Sequence, residues 1–183
     1  MAAAAQEFAE FGFAGATYGS IAARAGVAKT RVQYWAPTKA GLAQEIVSDA
    51  FIDGAFAAAH REDMSSGVSA ILRSCLLVAQ KEQDDVSVRA ATRLLAEWRV
   101  INAELPTPYV GWVSIIESDL QSAVSAGELP EGLEPSAFAW FLVAGFLGVK
   151  TICDTLGGYI DYPQRTVYIV ETLLRGVGYT KAE

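Results

Sequence analysis

The sequence is poor in the residues that build metal centres and nucleophilic active sites. Its 183 residues include two cysteines, Cys75 and Cys153, and one histidine, His60. The cysteines lie far apart in apolar runs and form no Cys-x-x-Cys pair, so we interpret both as buried small hydrophobic residues. Too few Cys and His ligands remain for a zinc site of the usual kind, and we expect no metal and no cofactor.

Sequence motifs of enzymes are also missing. The chain has no G-x-S-x-G elbow and no glycine loop that would cradle a phosphate. His60 stands alone near a predicted helix end, where a solvated histidine or one paired with the helix dipole is usual. We interpret the acidic stretches "EQDD" and "ESD" as solvated faces. We therefore predict that the protein is not an enzyme.

The sequence also lacks a long apolar run. The longest stretch without a charged residue, "PSAFAWFLVAGFLGV", ends at Lys150 after 15 residues, whereas a membrane span needs about 20. The N-terminal stretch carries Glu7 and Glu10 and has no basic region typical of a signal peptide. The low cysteine content agrees with a reducing compartment. We predict a soluble, cytoplasmic protein without membrane contact.

Apolar residues at helical spacing are abundant. They make up 52% of the chain, and no segment shows the alternation typical of a strand. We predict an all-α fold with breaks at "REDMSSG", "EQDD", "LPTP" and "GELPEGLEP". The predicted helices span residues 2–12 or slightly beyond, 18–25, 29–35, 39–60, 68–81, 86–103, 108–126, 136–156 and 163–175.

The formal charge of −7 is distributed unevenly along the chain. Residues 1–47 hold four basic residues against three acidic ones, whereas residues 48–183 hold ten against eighteen. A nearly neutral unit joined to a strongly acidic body suggests two different tasks. We predict one domain over residues 1–47 and a second over residues 48–183.

Two short helices flank the glycine turn in "IAARAGVAKTRVQYW", which is the pattern of a helix-turn-helix. Ala22 and Gly26 are small enough for the two helices to cross closely. The helix after the turn carries side-chain types that reach base edges and phosphates in a DNA major groove. These are Lys29, Thr30, Arg31, Gln33 and Tyr34. On spacing alone, an ordinary three-helix packing unit with a solvated basic turn is the alternative.

The stretch "FAEFGFAGATYGSIAARAGVAKTRVQYWAPTKAGL" resembles the DNA-binding domain of the tetracycline-repressor (TetR) family. The resemblance covers about residues 3–47. It implies that the helix at residues 29–35 reads bases and that Thr17 and Lys39 touch phosphates, with Tyr18 beside them at the DNA.

Two positions in this stretch depart from the family pattern. Gln33 stands where the family usually has tyrosine, and Ala36 stands where it usually has phenylalanine. The basic arm that often precedes the first helix is also missing from the sequence. Because each lost phosphate contact removes counterion release, these departures are expected to weaken DNA binding.

The last two predicted helices would suit a dimer seam. The helix at residues 136–156 is apolar on nearly all sides, so it must be covered on more than one. Gly145 and Gly148 would let a partner subunit approach closely. The last helix would complete the seam with Val167, Val170, Leu173, Leu174 and Val177. We predict a homodimer through these helices; on the residues alone, a monomeric bundle core is the alternative.

Trp112 lies one turn into an amphipathic helix, after two prolines and Tyr109. A buried tryptophan offers flat apolar area and one N–H donor for a ligand carbonyl, although on the residues alone an ordinary core tryptophan is the alternative. "RLLAEWRVINAELPTPYVGWVSI" and "AGFLGVKTICDTLGG" are similar to the regulatory domain of the γ-butyrolactone autoregulator receptors, a TetR subgroup. That resemblance implies that Trp112 lines a signal pocket. Further candidate walls are Trp98, Leu77, Leu95, Ile116 and Phe146.

These observations predict a ligand-responsive transcriptional repressor. A homodimer would hold a basic tip, formed by Arg24, Lys29 and Arg31, against double-stranded operator DNA. A small hydrophobic signal of the γ-butyrolactone, butenolide or furan type would move the fourth helix and release the DNA. The alternative is a helical ligand-sequestering or partner-binding protein with weakened DNA binding.

Overall fold

The computed structural model describes residues 1–53, 65–105, 107–157 and 160–180. Every regular element within these ranges is helical, which confirms the all-α fold class. The helices are α1 (Ala2–Gly15), α2 (Tyr18–Ala25), α3 (Lys29–Trp35), α4 (Lys39–Ser48), α5 (Gly67–Asp84), α6 (Val86–Ala96), α7 (Trp98–Ile101), α8 (Pro108–Ser125), α9 (Pro135–Leu156) and α10 (Tyr162–Gly176). A π-helical turn, Asp49–Asp53, follows α4.

Local capping chemistry sets the ends of α2 and the start of α4. The Thr17 hydroxyl oxygen accepts a hydrogen bond from the Ser20 N–H at 3.0 Å, which satisfies a free donor in the first turn of α2. Gly26 ends α2 in the left-handed conformation, with φ 66° and ψ 31°. Thr38 caps α4 through the Gly41 N–H at 3.0 Å. The predicted bounds of the second and third helices agree with the structure.

Two predicted helices differ from the observed ones. The helix predicted over residues 86–103 is broken after Ala96, because Glu97 leaves helical geometry at φ −96° and ψ 12°. Helix α4 ends at Ser48 and passes into the π-helical turn. The rest of the predicted fourth helix, with His60, lies outside the described residues.

The helices form two compact units. The first unit contains α1 to α4, the π-helical turn, α6 and α7, and the second contains α5 up to Gln83 with α8, α9 and α10. In the first unit α6 packs against α1 and α4, where Phe8, Val47 and Leu94 are fully buried. The domain boundary predicted after residue 47 stays a prediction.

The second unit is built around one apolar core. Residues buried to within 1% exposure come from each of its four helices. They include Ile71, Ile116, Leu120, Leu142, Phe146 and Leu174. Cys75 and Cys153 are both buried, as expected, and burial raises the pKa of the Cys75 thiol to about 12.

Helix α9 is two-sided. One face packs into the core through Phe138, Leu142 and Phe146, whereas Trp140 and Phe141 are each 64% exposed. Within the described ranges α9 is the one helix long and apolar enough to cross a membrane, but a core helix of a soluble protein meets the same criterion.

The contacts of Gly145 correct one expectation about the dimer seam. A Cβ built on Gly145 would lie 3.0 Å from the Leu173 Cδ1, so this glycine admits α10 of the same chain. A Cβ built on Gly148 would meet no atom of the described residues within 4 Å. Val170 and Leu174 are fully buried. The apolar side of α10 therefore belongs largely to the chain's own core.

Candidate functional site

Helix α3 presents a continuous exposed surface. None of its seven residues is fully buried, and Tyr34 and Trp35 are 83% and 72% exposed. The Arg31 guanidinium lies 5.5 Å from the centroid of the Trp35 ring. Lys29, Thr30, Arg31, Gln33 and Tyr34, the side chains predicted to meet DNA, are all exposed. Because few α3 side chains are buried against other helices, neighbouring residues must hold α3 in place.

Tyr18 and the glycine turn hold α3. The Tyr18 hydroxyl donates to the Ala36 carbonyl at 2.7 Å, which ties the start of α2 to the end of α3. Burial raises the pKa of this hydroxyl, so it stays a protonated donor. At the turn, the Val27 N–H donates to the Ala22 carbonyl at 3.0 Å. Tyr18 was predicted at the DNA, and in the structure its hydroxyl has this internal role.

Thr17 and Lys39, the two predicted phosphate contacts, also make internal bonds. The Thr17 hydroxyl caps α2, as described above. The Lys39 ammonium donates to the Phe13 carbonyl at 2.6 Å and the Ala16 carbonyl at 3.0 Å, and it lies 4.3 Å from the centroid of the Phe13 ring. Because an ammonium has three N–H donors, one is left for a phosphate oxygen. Their contact with DNA stays a prediction.

Arg24 belongs to the packing between α1 and α2 and not to an outward basic tip. Its Nε lies 2.5 Å from the Glu7 Oε1, and its Nη2 lies 2.7 Å from the Glu10 Oε2. A hydrogen bond from Ser20 and the Arg24 guanidinium lower the pKa of Glu7, although burial opposes this. The spacing of Glu7 and Glu10, three residues apart on one helix face, could have indicated this partner for Arg24.

Side chains at the C-terminal end of α6 bind α1 at a break in the α1 backbone. Gly12 interrupts α1 with φ 69° and ψ −177°. Beside it, the Arg93 Nη1 donates to the Ala9 and Glu10 carbonyls at 2.9 and 3.0 Å, and the Glu97 Oε2 accepts from the Phe13 N–H at 2.8 Å. We call this arrangement of Arg93, Glu97 and the break at Gly12 the α1 clamp. No local pattern in the sequence indicates it.

Three aromatic side chains form a ladder in the second unit. The Trp112 and Phe146 rings meet edge to face with centroids 4.6 Å apart, and the Phe146 and Tyr162 centroids are 5.9 Å apart. The Trp112 indole Nε1 is buried, and no hydrogen-bond partner for it is found in the described part of the chain. A buried N–H without a partner is costly, so this atom is a ready donor for a ligand oxygen.

The ladder ends at a buried carboxylate. The Tyr162 hydroxyl donates to the Glu82 Oε2, and Glu82 is 1% exposed. The pKa of Tyr109 is raised by burial first and then by the negative charges of Glu82 and Asp154. The Lys150 Nζ pairs with the Asp154 Oδ2 at 2.8 Å. Two aromatic rings, an indole N–H and a carboxylate therefore share one region of this core.

The burial of Glu82 corrects the interpretation of "EQDD" as a solvated stretch. Helix α5 continues through Gln83 to Asp84, so Glu82 follows Cys75 and Ala79 along the buried face. A spacing of four and then three residues keeps these positions on one side of a helix. That spacing was the signal available in the sequence.

The predicted ligand-binding residues fall into two groups. Ile116 and Phe146 lie with Trp112 in the core of the second unit, and Leu77 is half-buried on α5. Leu95 and Trp98 lie in the first unit, where Leu95 is 8% exposed and Trp98 is 56% exposed. Their grouping with Trp112 stays a prediction. Across the described ranges, no cluster of three or more His, Cys, Asp or Glu residues could hold a metal ion.

Known proteins match both parts of the chain. The profile of the bacterial regulatory proteins of the tetR family matches residues 1–46, and that of the tetracyclin repressor-like C-terminal domain matches residues 65–178. No curated protein matches the chain by sequence.

Solved structures of similar proteins cover nearly the whole chain. One, described as the molecular basis for control of antibiotic production by bacterial hormones, has a TM-score of 0.80 at 32% identity, over 96% of this chain and 93% of that one. CprB of S. coelicolor A3(2), a TetR family protein, has a TM-score of 0.82 at 26% identity, over 95% and 84%. An ArpA-like γ-butyrolactone receptor shares the fold, with a TM-score of 0.65 at 22% identity, over 95% and 93%.

The two profile matches span residues 1–46 and 65–178, and one solved relative is 32% identical over nearly the full length. Together these findings establish the family. TetR-family regulators are generally DNA-binding proteins without enzymatic activity. The chain belongs to the TetR family of bacterial transcription regulators.

Proposed function

We propose that the protein is a cytoplasmic, dimeric transcriptional repressor that a small hydrophobic signal releases from operator DNA. The observation that carries the proposal is the exposed α3 surface in a TetR-family chain, because those side chains have no packing role of their own. We propose no enzymatic activity and no cofactor.

In this proposal, side chains of α3 read the DNA sequence. Arg31 and Gln33 are the side chains best suited to bidentate hydrogen bonds with guanine and adenine, and Lys29 is suited to phosphate. Thr17, Tyr18 and Lys39 would lie against the DNA backbone while keeping their internal bonds. The acidic remainder of the molecule would be repelled by DNA and leave docking to this surface.

Dimerisation falls chiefly to the exposed side of α9. Trp140, Phe141, Ile152 and Leu156 are each at least 57% exposed, and Tyr168 on α10 is 73% exposed. Apolar surface of this extent is typical of a protein interface. A dimer would present two α3 helices, which need to lie about 34 Å apart to enter the DNA major groove one helical turn apart.

Ligand binding falls to the region of Trp112. Its indole N–H, for which the described residues offer no partner, would donate to the carbonyl oxygen of a γ-butyrolactone, butenolide or furan signal. Phe146 and Ile116 would contact the apolar part. The ligand would move the fourth helix, α4, and thereby shift the DNA-binding helices. Release requires that the ligand bind the DNA-incompetent state more tightly than the DNA-bound state.

The DNA-binding half of the proposal is tested with the DNA upstream of the protein's own gene. Fluorescence anisotropy would compare wild-type protein with Lys29→Ala and Arg31→Ala at two salt concentrations. We expect each variant to lose about tenfold in affinity and Lys29→Ala to lower the salt slope by about one unit. Lys81→Ala removes an exposed positive charge from α5 and serves as the control. If both α3 variants bind as tightly as Lys81→Ala, α3 does not read the DNA.

A further inference from the structure

The Arg31 side chain on α3 lies against an aromatic ring and not against a carboxylate. Its guanidinium carbon is 5.5 Å from the centroid of the Trp35 ring, which is within the distance of about 6 Å at which a tryptophan face attracts a cation. The two residues are four positions apart, so their side chains share one face of the helix. Within the described ranges no carboxylate pairs with Arg31.

The contact with the ring leaves the hydrogen-bond donors of Arg31 unused. An aromatic ring attracts a guanidinium as a cation and takes none of its hydrogen bonds, and the five N–H groups point outward in the guanidinium plane. Arg24, in the same helix-turn-helix, has spent its Nε and Nη2 donors on the carboxylates of Glu7 and Glu10. Arg31 is therefore the arginine of this unit that combines a contact fixing its position with a free fork of donors.

Trp35 is suited to be a fixed platform, because the backbone next to it is anchored. The Tyr18 hydroxyl donates to the Ala36 carbonyl at 2.7 Å, and the Ala36 N–H donates to the Val32 carbonyl at 2.9 Å. The Trp35 side chain itself is 72% exposed, so packing in the core does not account for a tryptophan at this position. Its contact with Arg31 does.

We propose that Trp35 is a positioning residue for base recognition, whose ring holds the Arg31 guanidinium so that its N–H fork meets the O6 and N7 atoms of a guanine in the major groove. This inference rests on the proposed DNA-binding function of α3. Two hydrogen bonds from an arginine to guanine are the commonest base-specific contact of proteins with DNA. Because the ring orders Arg31 before DNA binds, less conformational entropy is lost when this contact forms.

The experiment begins with a selection by the full-length protein from a pool of DNA duplexes with a random central segment. Each guanine of the enriched sequence is then replaced in turn by 7-deazaguanine, which lacks the N7 acceptor but keeps the base pair. We expect at least one guanine whose replacement weakens binding by wild-type protein about tenfold, and by Arg31→Ala less than about twofold. In Trp35→Leu the same replacement should weaken binding by only about threefold.

A double-mutant cycle on the enriched duplex measures the coupling of the two side chains. Trp35→Leu should weaken binding about fivefold when Arg31 is present, with no further loss in the Arg31→Ala background. The dependence of affinity on salt should not change, because the charge of Arg31 remains. Trp35→Phe keeps a ring that attracts cations more weakly, so an intermediate loss is expected. Thermal unfolding should stay the same, since Trp35 is largely exposed.

Tyr34→Leu is the matched control, since Tyr34 is an exposed aromatic residue of the same helix without a ring contact to Arg31 in the described structure. Its effect on affinity should be equal with arginine or alanine at position 31. Additive losses of Trp35→Leu and Arg31→Ala would overturn the positioning role. So would a loss in Trp35→Leu that is equal for all DNA sequences, because Trp35 would then contact the DNA backbone.

The selection step separates failure of this inference from failure of the function on which it depends. Enrichment of a sequence in which no guanine replacement weakens wild-type binding overturns the inference with wild-type protein alone and leaves the repressor in place. No enrichment by correctly folded wild-type protein contradicts the repressor, and the proposed guanine contact with it.

Discussion

The two compact units place their polar groups in opposite ways. In the first unit the α3 side chains proposed to read DNA are exposed, and internal bonds such as those of Arg24 with Glu7 and of Tyr18 with the Ala36 carbonyl support the helices. In the second unit the Trp112 indole Nε1, which we propose to bind a ligand, is buried, and no hydrogen-bond partner for it is found among the described residues. In the first unit the base-reading side chains of α3 are thus distinct from the supporting residues, whereas Thr17, Tyr18 and Lys39 would both support the fold and contact the DNA backbone. In the second unit the proposed ligand contacts are themselves part of the core.

This difference determines what substitutions can reveal. In the first unit, a variant of a supporting residue should lower stability, and a variant of an α3 side chain should change DNA affinity alone. In the second unit, conservative replacements are needed, because any large change at the aromatic ladder also opens the core.

The largest expected effect comes from the α1 clamp. Gly12→Ala puts a side chain at φ 69° and ψ −177°, a region that is essentially restricted to glycine, and sets a Cβ against the Glu97 carboxylate. We expect the free energy of unfolding to fall by about 2–3 kcal/mol, measured by urea denaturation. Gly132→Ala, where a Cβ meets nothing within 4 Å, is the control. Equal stability of the two variants would mean that the break at Gly12 is not held by α6.

The next effect separates two arginines that are close in sequence. Arg24→Ala leaves the buried Glu7 without its cation, so we expect a lower midpoint of thermal unfolding. Arg31→Ala removes an exposed side chain of α3, so we expect unchanged thermal unfolding and about tenfold weaker DNA binding. Calorimetric unfolding and DNA anisotropy on both variants check this. If instead Arg24→Ala weakened DNA binding and Arg31→Ala lowered the midpoint of thermal unfolding, the distinction between supporting and DNA-contacting residues would be wrong.

A smaller effect is expected at the donor end of the ladder. Trp112→Phe removes the indole N–H but keeps an aromatic ring against Phe146. Because that N–H has no partner among the described residues, unfolding should change little, whereas affinity for an active ligand fraction should fall about tenfold. Operator binding without ligand should stay intact. If Trp112→Phe unfolds like the wild type and also responds to ligand like it, the indole N–H has no role in recognition.

The smallest effect concerns acid stability. The pKa of Glu7 is lowered in the folded state, so its ionised form stabilises the protein above the ordinary pKa of 4.5. That contribution is lost as the pH falls below 4.5 through the lowered pKa. Glu7→Gln should therefore flatten the acid side of the stability curve, measured by urea unfolding between pH 7 and pH 3. Parallel curves for variant and wild type would show that Glu7 is not held ionised by its partners.

Features set by interactions between residues close in sequence could be predicted from the sequence, whereas features set by distant residues could not. Thr17 and Gly26 act through bonds three to four residues away, and they allowed α2 and α3 to be predicted to the residue. Glu97 ends α6 while its carboxylate accepts from Phe13, 84 residues earlier, and no local pattern reveals such a partner. The spacing of Glu82 after Cys75 and Ala79 indicates its buried face, but its partner Tyr162 lies 80 residues later and has no local signal. The ligand-binding role of Trp112, which the family resemblance implies, stays a prediction.

The most direct test of the account is a mobility-shift titration of the full-length protein on its own upstream DNA. It would be run at two salt concentrations, with and without an organic extract of the producing culture. We predict a sequence-specific shift that weakens with salt and that the extract abolishes, with Trp112→Phe still shifting the DNA but resisting the extract. A correctly folded protein that gives no specific shift even at low salt would contradict the account.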